Sequence, residues 1–261
     1  MADFDLTSAT EFSSINATDN FFVNQGGALG QAPIQKILDK AAINSLETAK
    51  AGIEPNMLDG VFIMYHSKSD NFPRLCEVSG WKSLENAGDI ADGVAVFQGD
   101  KHLVISPTEA YLHWSSAAIQ VGSVTSDRIT AINDWSGKSR TAAIMLDATL
   151  KSDGAAYAPG WCNAYSRANT NGKGLTAGNW WLPSTGELIF IKANFRKINM
   201  ALSVISGATL LNGSWYWSST EGSPEGAWYL YLDDGCLNYW ASKVGGATYV
   251  RAVSAFGLGN Y

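Results

Sequence analysis

The chain has 261 residues, 46% of them hydrophobic and 16% charged, with a formal net charge of −6 and a pI near 5.0. That length holds one large domain plus an appendage, or two small domains. The acidic balance is the wrong sign for a phosphate-backbone binder, so nucleic acid is not an expected partner. No apolar run is long enough to predict a membrane-spanning helix, so no membrane insertion is expected.

Residues 1–56 differ from the rest. Asp, Ser, Thr, Asn and Gly dominate the first thirty or so positions, and the opening MADFDLTSATEF lacks the basic and apolar regions of a secretory signal. A short helical pattern follows, from Pro33 at a first-turn position through Ile34, Ile37, Leu38, Ala41 and Ala42. The segment is too small to bury its own apolar face. Two readings stay open: it docks on another protomer or assembly, or it is a partly disordered leader. The chain is therefore divided into an N-terminal assembly segment, 1–56, and a ligand-binding domain, 57–261.

From Leu58 the pattern turns β-like. Residues 60–65 (GVFIMY) and 93–97 (GVAVF) are short apolar runs, and Gly99-Asp100 supplies a turn before 102–106 (HLVIS), which predicts a hairpin. Residues 66–92 read as a long polar excursion of the kind that serves function or assembly. Helical stretches are expected around 142–150 and 155–167, the second limited by Pro159 and Gly160. The clearest helix opens with the capping box Ser184-Thr185-Gly186-Glu187, after which Leu188, Ile191, Phe195, Ile198, Leu202 and Ile205 form one buried stripe.

The C-terminal third reads as β. Residues 214–218 (SWYWS) are aromatic-rich, 226–232 and 236–242 flank Asp234-Gly235, and 249–256 (YVRAVSAF) forms a closing strand. With Asp234 and Gly235 as a two-residue turn, Asp233 pairs with Cys236, Leu232 with Leu237, Tyr231 with Asn238, Leu230 with Tyr239 and Tyr229 with Trp240. One face then collects Trp228, Leu230, Leu232, Leu237 and Tyr239, which belong on a core. The other collects Tyr229, Tyr231, Asp233, Cys236, Asn238 and Trp240. This second face mixes amphipathic aromatics with short hydrogen-bonding groups, the composition of a paratope. Burying Asp233 and Asn238 unpaired would be costly. A binding surface is expected, against the alternative of a strand covered on both sides.

Several motifs occur in a fixed order. Trp180-Trp181-Leu182-Pro183-Ser184-Thr185-Gly186-Glu187-Leu188 reads W-x-L-P-[ST]-x-x-E-L before a helix. Ile198-Asn199-Met200-Ala201-Leu202, Tyr216-Trp217-Ser218-Ser219-Thr220-Glu221, Ala227-Trp228 and Val250-Arg251-Ala252-Val253 follow. Over residues 58–257, most strongly after 177, this series resembles bacterial and phage C-type lectin-like domains related to formylglycine-generating enzymes. Among them it is most similar to the variable proteins of diversity-generating retroelements, such as phage tropism determinants. The resemblance implies an α+β, C-type lectin fold with two helices and an antiparallel sheet, preceded by a small N-terminal segment. It also implies a non-enzymatic receptor-binding adhesin, on a phage tail or other virion or at a cell surface, that assembles as a homotrimer and meets a cell-surface protein or glycan receptor.

In such proteins the segment between the WSSTE-like motif and the terminal strand is hypermutated to diversify binding. Pairing and resemblance together give a candidate ligand site of Tyr229, Tyr231, Asp233, Asp234, Cys236, Asn238, Tyr239, Trp240, Ser242, Thr248 and Tyr249. No catalytic residue, metal or cofactor is expected. Cys76, Cys162 and Cys236 are far apart without a CxxC, and the enzymatic relatives' cysteine pair has no activated counterpart. Cys162 reads as a buried structural residue and Cys236 as incidental. His66, His102 and His113 lack metal spacing, and His66 and His102 read as exposed edge residues. Glu54-Pro55-Asn56 superficially matches a sugar- and calcium-binding tripeptide but precedes the domain. An oxidase, or a structural virion protein on the same fold, stands as the alternative.

Overall fold

The computed structural model describes residues 59–256 and the backbone of strands β1 (Asn20–Gln25) and β2 (Ala28–Pro33). The chain divides into two compact units, Met1–Met57 and Leu58–Tyr261. In the first, β1 and β2 pair antiparallel, with Asn20 against Pro33 and Gln25 against Ala28. Pro33 thus closes a strand, a position that tolerates its missing N–H. The helical pattern expected over 34–42 and the Glu54-Pro55-Asn56 tripeptide lie outside the described residues.

The second unit is α+β. Its first sheet contains β3 (Gly60–His66), β4 (Pro73–Glu77), β5 (Ala91–Gln98), β6 (Lys101–Ile105) and β12 (Val253–Ser254), in the order β12-β6-β5-β3-β4 with every pair antiparallel. The Gly99 turn forms as predicted, with Gln98 opposite Lys101 and Gly99 at φ 59°. Residues 66–92 are not the open excursion expected. They contain the edge strand β4 and a helix, α1 (Trp81–Asn86), whose Trp81 is fully buried 5.6 Å from Tyr65. Their polar composition hid both, because an edge strand and a one-anchor helix need few apolar residues.

The second sheet holds β7 (Ala110–Leu112), β8 (Trp215–Glu221), β9 (Gly226–Tyr231), β10 (Leu237–Ser242) and β11 (Thr248–Val250), ordered β10-β9-β8-β11-β7. The β11–β8 pair is parallel and the others antiparallel. With these two sheets and seven α-helices among the described residues, the molecule is richer than the two helices and antiparallel sheet expected.

The chain crosses between sheets twice, from β6 to β7 and from β11 to β12, so the single closing strand expected over 249–256 is two short ones. Arg251 sits at that step, fully buried. It donates to the carbonyls of Ser106 (3.0 Å) and Thr209 (3.1 Å) and pairs with Glu109 at 2.6 Å. Glu109 also accepts the Tyr216 hydroxyl at 2.6 Å, and burial raises that phenol's pKa further, with Glu109 adding to it. The corner is a sealed polar lock.

Two apolar cores flank the sheets. Ile63, Val94, Val96, Leu103 and Ile105 face one core, whereas Met64, Ala95 and Val104 face the other, which explains the unbroken apolar runs in β3 and β5. The first core takes the stripe from α6 (Thr185–Ala193) and α7 (Phe195–Leu202). That stripe is continuous, but the helix is not. Asn194 breaks it at φ −107°, where its side-chain amide donates to the Phe190 carbonyl and Gln98, each at 3.0 Å. The capping box forms as read, with the Ser184 amide donating to Glu187 at 2.8 Å.

The second core is closed by α3 (Gly137–Ile144), α4 (Ala148–Asp153) and α5 (Ala158–Ala164), which follow the short α2 (Arg128–Ile132). Pro159 lies in the first turn of α5 and starts that helix where it was expected to limit one. His66 is also corrected: it is buried, not an edge residue, and its ring Nδ1 lies 2.6 Å from Asp92. Burial pushes the Asp92 carboxyl up, against the opposing effect of His66.

Candidate ligand-binding cleft

Side chains alternate along β8. Tyr216 enters the first core, while Trp215 and Trp217 face the opposite side with Tyr231 and Tyr229, their register partners on β9. The Trp215 ring lies 4.1 Å from Tyr229 and 5.2 Å from Tyr231, and Trp217 lies 5.8 Å from Tyr229, centroid to centroid. Four aromatic rings therefore share one flank of the sheet. Trp217 is its floor, almost fully buried, with its indole N–H donating to the Leu112 carbonyl at 3.0 Å.

The hairpin register differs from the predicted two-residue turn. Leu230 pairs with Leu237 and Tyr229 with Asn238, two residues away from the expected pairing. Residues 232–235 form a four-residue turn, since the Tyr231 amide donates to the Cys236 carbonyl at 2.9 Å and the Gly235 amide to the Tyr231 carbonyl at 2.9 Å. Gly235 adopts φ 84°, and the Asp234 carboxylate accepts the Cys236 amide at 2.7 Å. From α6, Lys192 donates to the Leu232 and Asp233 carbonyls, which anchors the turn. A shift of two preserves parity, so Leu230 and Leu237 still face the core and Tyr229 and Asn238 still face away. The Asn238 side-chain oxygen then accepts the amides of Tyr239 (2.7 Å) and Trp240 (3.3 Å), and the register slips there in a bulge.

The predicted site residues divide into three groups. Tyr229, Ser242 and Thr248 line a cleft of about 350 Å³ together with Tyr111, Trp215, Trp217 and the 245–247 loop. Asp233, Asp234 and Cys236 are exposed at the turn, Tyr231 and Asn238 are half-buried beside it, and Trp240, past the bulge, is 67% exposed and does not line the cleft. Tyr239 and Tyr249 are half-buried and pack against the framework. The Tyr239 ring packs 5.2 Å from Trp228, and Tyr249 lies between Tyr111 (5.1 Å) and Tyr216 (5.5 Å). Thr248 is also less available than expected, since it is buried and its hydroxyl donates to the Trp215 carbonyl.

Trp215, Trp217 and Tyr111 are the aromatic lining residues that hairpin pairing alone missed. The alternation W-Y-W within 215–217 already marked the first two, once β8 is placed beside β9. The cleft lining carries no charged side chain. Its rim is held from below by Lys243, which turns inward from the exposed loop and pairs with Glu221 at 2.6 Å, both fully or nearly fully buried. Lys243 also donates to the Ile119 and Pro224 carbonyls and lies 4.7 Å over the Trp114 ring. Burial lowers its pKa, with Glu221 opposing. The outer part of the loop has Gly246 with open space around it.

Cys76, Cys162 and Cys236 form no disulfide. Cys162 is sealed in the second core, where burial pushes its thiol well up. The described residues contain no cluster of three or more His, Cys, Asp or Glu that could hold a metal ion, and no helix among them is long and apolar enough to cross a membrane.

No family model and no curated protein matches the chain. Among solved structures it is similar to a fimbrial protein from Bacteroides ovatus ATCC 8483, at a TM-score of 0.42 and 16% identity over 59% of this chain. The matched region spans about 36% of that protein's length.

Proposed function

We propose that the chain is a non-enzymatic receptor-binding protein with a C-type lectin-type fold, a phage tail-tip adhesin or a retroelement variable protein, whose ligand meets the aromatic flank of β8–β10. The supporting observation is the uncharged cleft walled by Trp215, Trp217 and Tyr229 and rimmed by the 242–248 loop. Rigid aromatic rings bind with little loss of side-chain entropy, and short hydroxyls beside them supply adaptable hydrogen bonds. The exposed Trp240 and the acidic turn extend the contact area beyond the recess. Its partner is a cell-surface protein or glycan, and the place of action is a virion or a cell surface.

The sealed, neutral Cys162 thiol does not favour the oxidase alternative, because only a thiolate is a competent nucleophile or metal ligand. Assembly as a homotrimer through the first unit belongs to the same proposal; light scattering that reports a monomer for the full-length chain refutes that part.

The test starts from the purified chain on a panel of bacterial cells and a glycan array. Any surface that retains the wild-type chain is re-probed with Tyr229→Ala, Tyr231→Ala and Trp240→Ala. Loss of an anchor of this kind weakens binding by about 30-fold, or about 2 kcal/mol. Near-ultraviolet circular dichroism checks that the fold persists. Undiminished retention of all three variants overturns the assignment.

A further inference from the structure

A second cleft lies further along β8, past the irregularity in its pairing with β9 that follows Trp217, where Ser219 and Glu221 line it. The opposite wall is a helix flank. Ser136 at the N-cap, then Ser139, Arg140 and Ala143 in α3, recur at helical spacing and line the recess, and Ser123 and its neighbours close the third side. The cavity measures about 250 Å³. Its deep end holds the Ser219 hydroxyl, which is fully buried and has no hydrogen-bond partner, although the Ser219 amide is satisfied by the Pro183 carbonyl at 2.8 Å. Buried hydroxyls are ordinarily hydrogen-bonded, so this one is a vacant contact point.

The charges of the recess are compensated within the protein. Arg140 pairs with Asp134 at 2.6 Å and donates to the Ser123 carbonyl at 3.1 Å. Glu221 pairs with Lys243 and accepts the Gly122 amide at 2.9 Å. Of the lining side chains, an anionic ligand would meet the Glu221 carboxylate and a cation the Arg140 guanidinium. An uncharged ligand meets neither penalty. What remains on offer is the unpartnered Ser219 hydroxyl, the Ser136 hydroxyl at the mouth and the lone pairs of the Ser139 hydroxyl, whose own proton goes to the Ser136 carbonyl at 3.0 Å. Vicinal hydroxyl groups, which both donate and accept, complement that set. The volume falls below the roughly 300 Å³ at which sites for drug-sized ligands begin, which restricts the occupant to about one ring.

We infer that this recess binds a small uncharged polyhydroxylated molecule of monosaccharide size, with Ser219 as the buried contact and Ser136 and Ser139 at the mouth. The site is distinct from the aromatic cleft and does not depend on its role.

The experiment titrates the isotope-labelled full-length chain with D-glucose, D-galactose, D-mannose, N-acetylglucosamine and myo-inositol, and separately with inorganic phosphate, and follows amide shifts. At least one neutral polyol is expected to give saturable shifts around Ser219 and Ser139. Ser219→Ala should weaken that binding about tenfold, the usual effect of losing one buried hydrogen bond. The exposed Ser139→Ala, which leaves the core untouched, should weaken it less. Tyr229→Ala should leave it unchanged, which separates this site from the proposed receptor cleft. The inference is overturned by saturation with phosphate alone, by no saturable shift with any polyol, or by equal affinity of wild type and both serine variants.

Discussion

The corner where the two sheets meet and the tip of the β9–β10 hairpin hold similar chemistry and use it in opposite ways. At the corner, Arg251, Glu109 and the Tyr216 hydroxyl are drawn into one buried network that fixes how β11 leaves one sheet and β12 enters the other. At the hairpin tip, Asp233, Asp234 and Trp240 stay exposed and Tyr231 half-exposed, and the turn is held by its backbone and by Lys192. Lys243 and Glu221 join the two regimes, since the lysine leaves an exposed loop to be sealed beneath it. Buried charge makes the frame intolerant of change, and exposed charge leaves the tip free to vary. The proposed recognition surface needs that separation if it is to be altered on an unaltered scaffold.

The largest effect should come from breaking a buried pair. Glu221→Ala or Lys243→Met strands a charge in the interior and should cost about 3–5 kcal/mol in urea unfolding, and a loss below about 1 kcal/mol would erase the distinction between frame and tip. Arg251→Met tests the corner in the same way, with the same expected size.

Next is a pH effect at Glu187. Burial pushes this carboxyl up to about 7, against its bonds to the Ser184 amide and the Trp181 indole. The folded state then holds a proton that the unfolded chain releases near 4.5. Its stabilising contribution is complete below about pH 4.5 and is lost as pH rises through about 7, a decline on the order of 1–3 kcal/mol. Glu187→Gln should flatten the curve of urea midpoint against pH between those limits; an unchanged slope would show that another group produces it.

A smaller loss, about 1 kcal/mol, is expected for Asp147→Ala, because the Asp147 carboxylate caps α4 through the Thr149 and Leu150 amides at 3.0 Å. The smallest is at the tip. Trp240→Ala and Asp234→Ala should shift thermal unfolding by no more than about 0.5 kcal/mol, and a shift as large as that of Asp147→Ala would mean the tip is part of the frame.

Much of this molecule was legible residue by residue. The capping box at Ser184, the Gly99 hairpin and the two-faced character of β9 and β10 follow from local chemistry and period-two alternation. The face assignment survived an incorrect turn length as far as Asn238, because a two-residue slip preserves parity; beyond it the bulge moves the pairing by one, and Ala241 rather than Trp240 lines the cleft. The helix break at Asn194, the edge strand inside 66–92 and the burial of His66 were not legible. Each depends on a partner distant in sequence: Gln98 for Asn194, β3 for β4, and Asp92 for His66.

What the amino-acid order determined by itself was which residues share a flank along β8, β9 and β10 up to Asn238, since backbone pleating is local and does not wait for the rest of the chain; the bulge beyond Asn238 was not in that pattern. Only the tertiary structure decided which of those residues meet solvent. Trp217 became a floor, Thr248 a buried strut and Trp240 an exposed ring, because cover comes from elements far along the chain. The unpartnered Ser219 hydroxyl belongs to the second category too, as its recess exists only where α3 packs near β8.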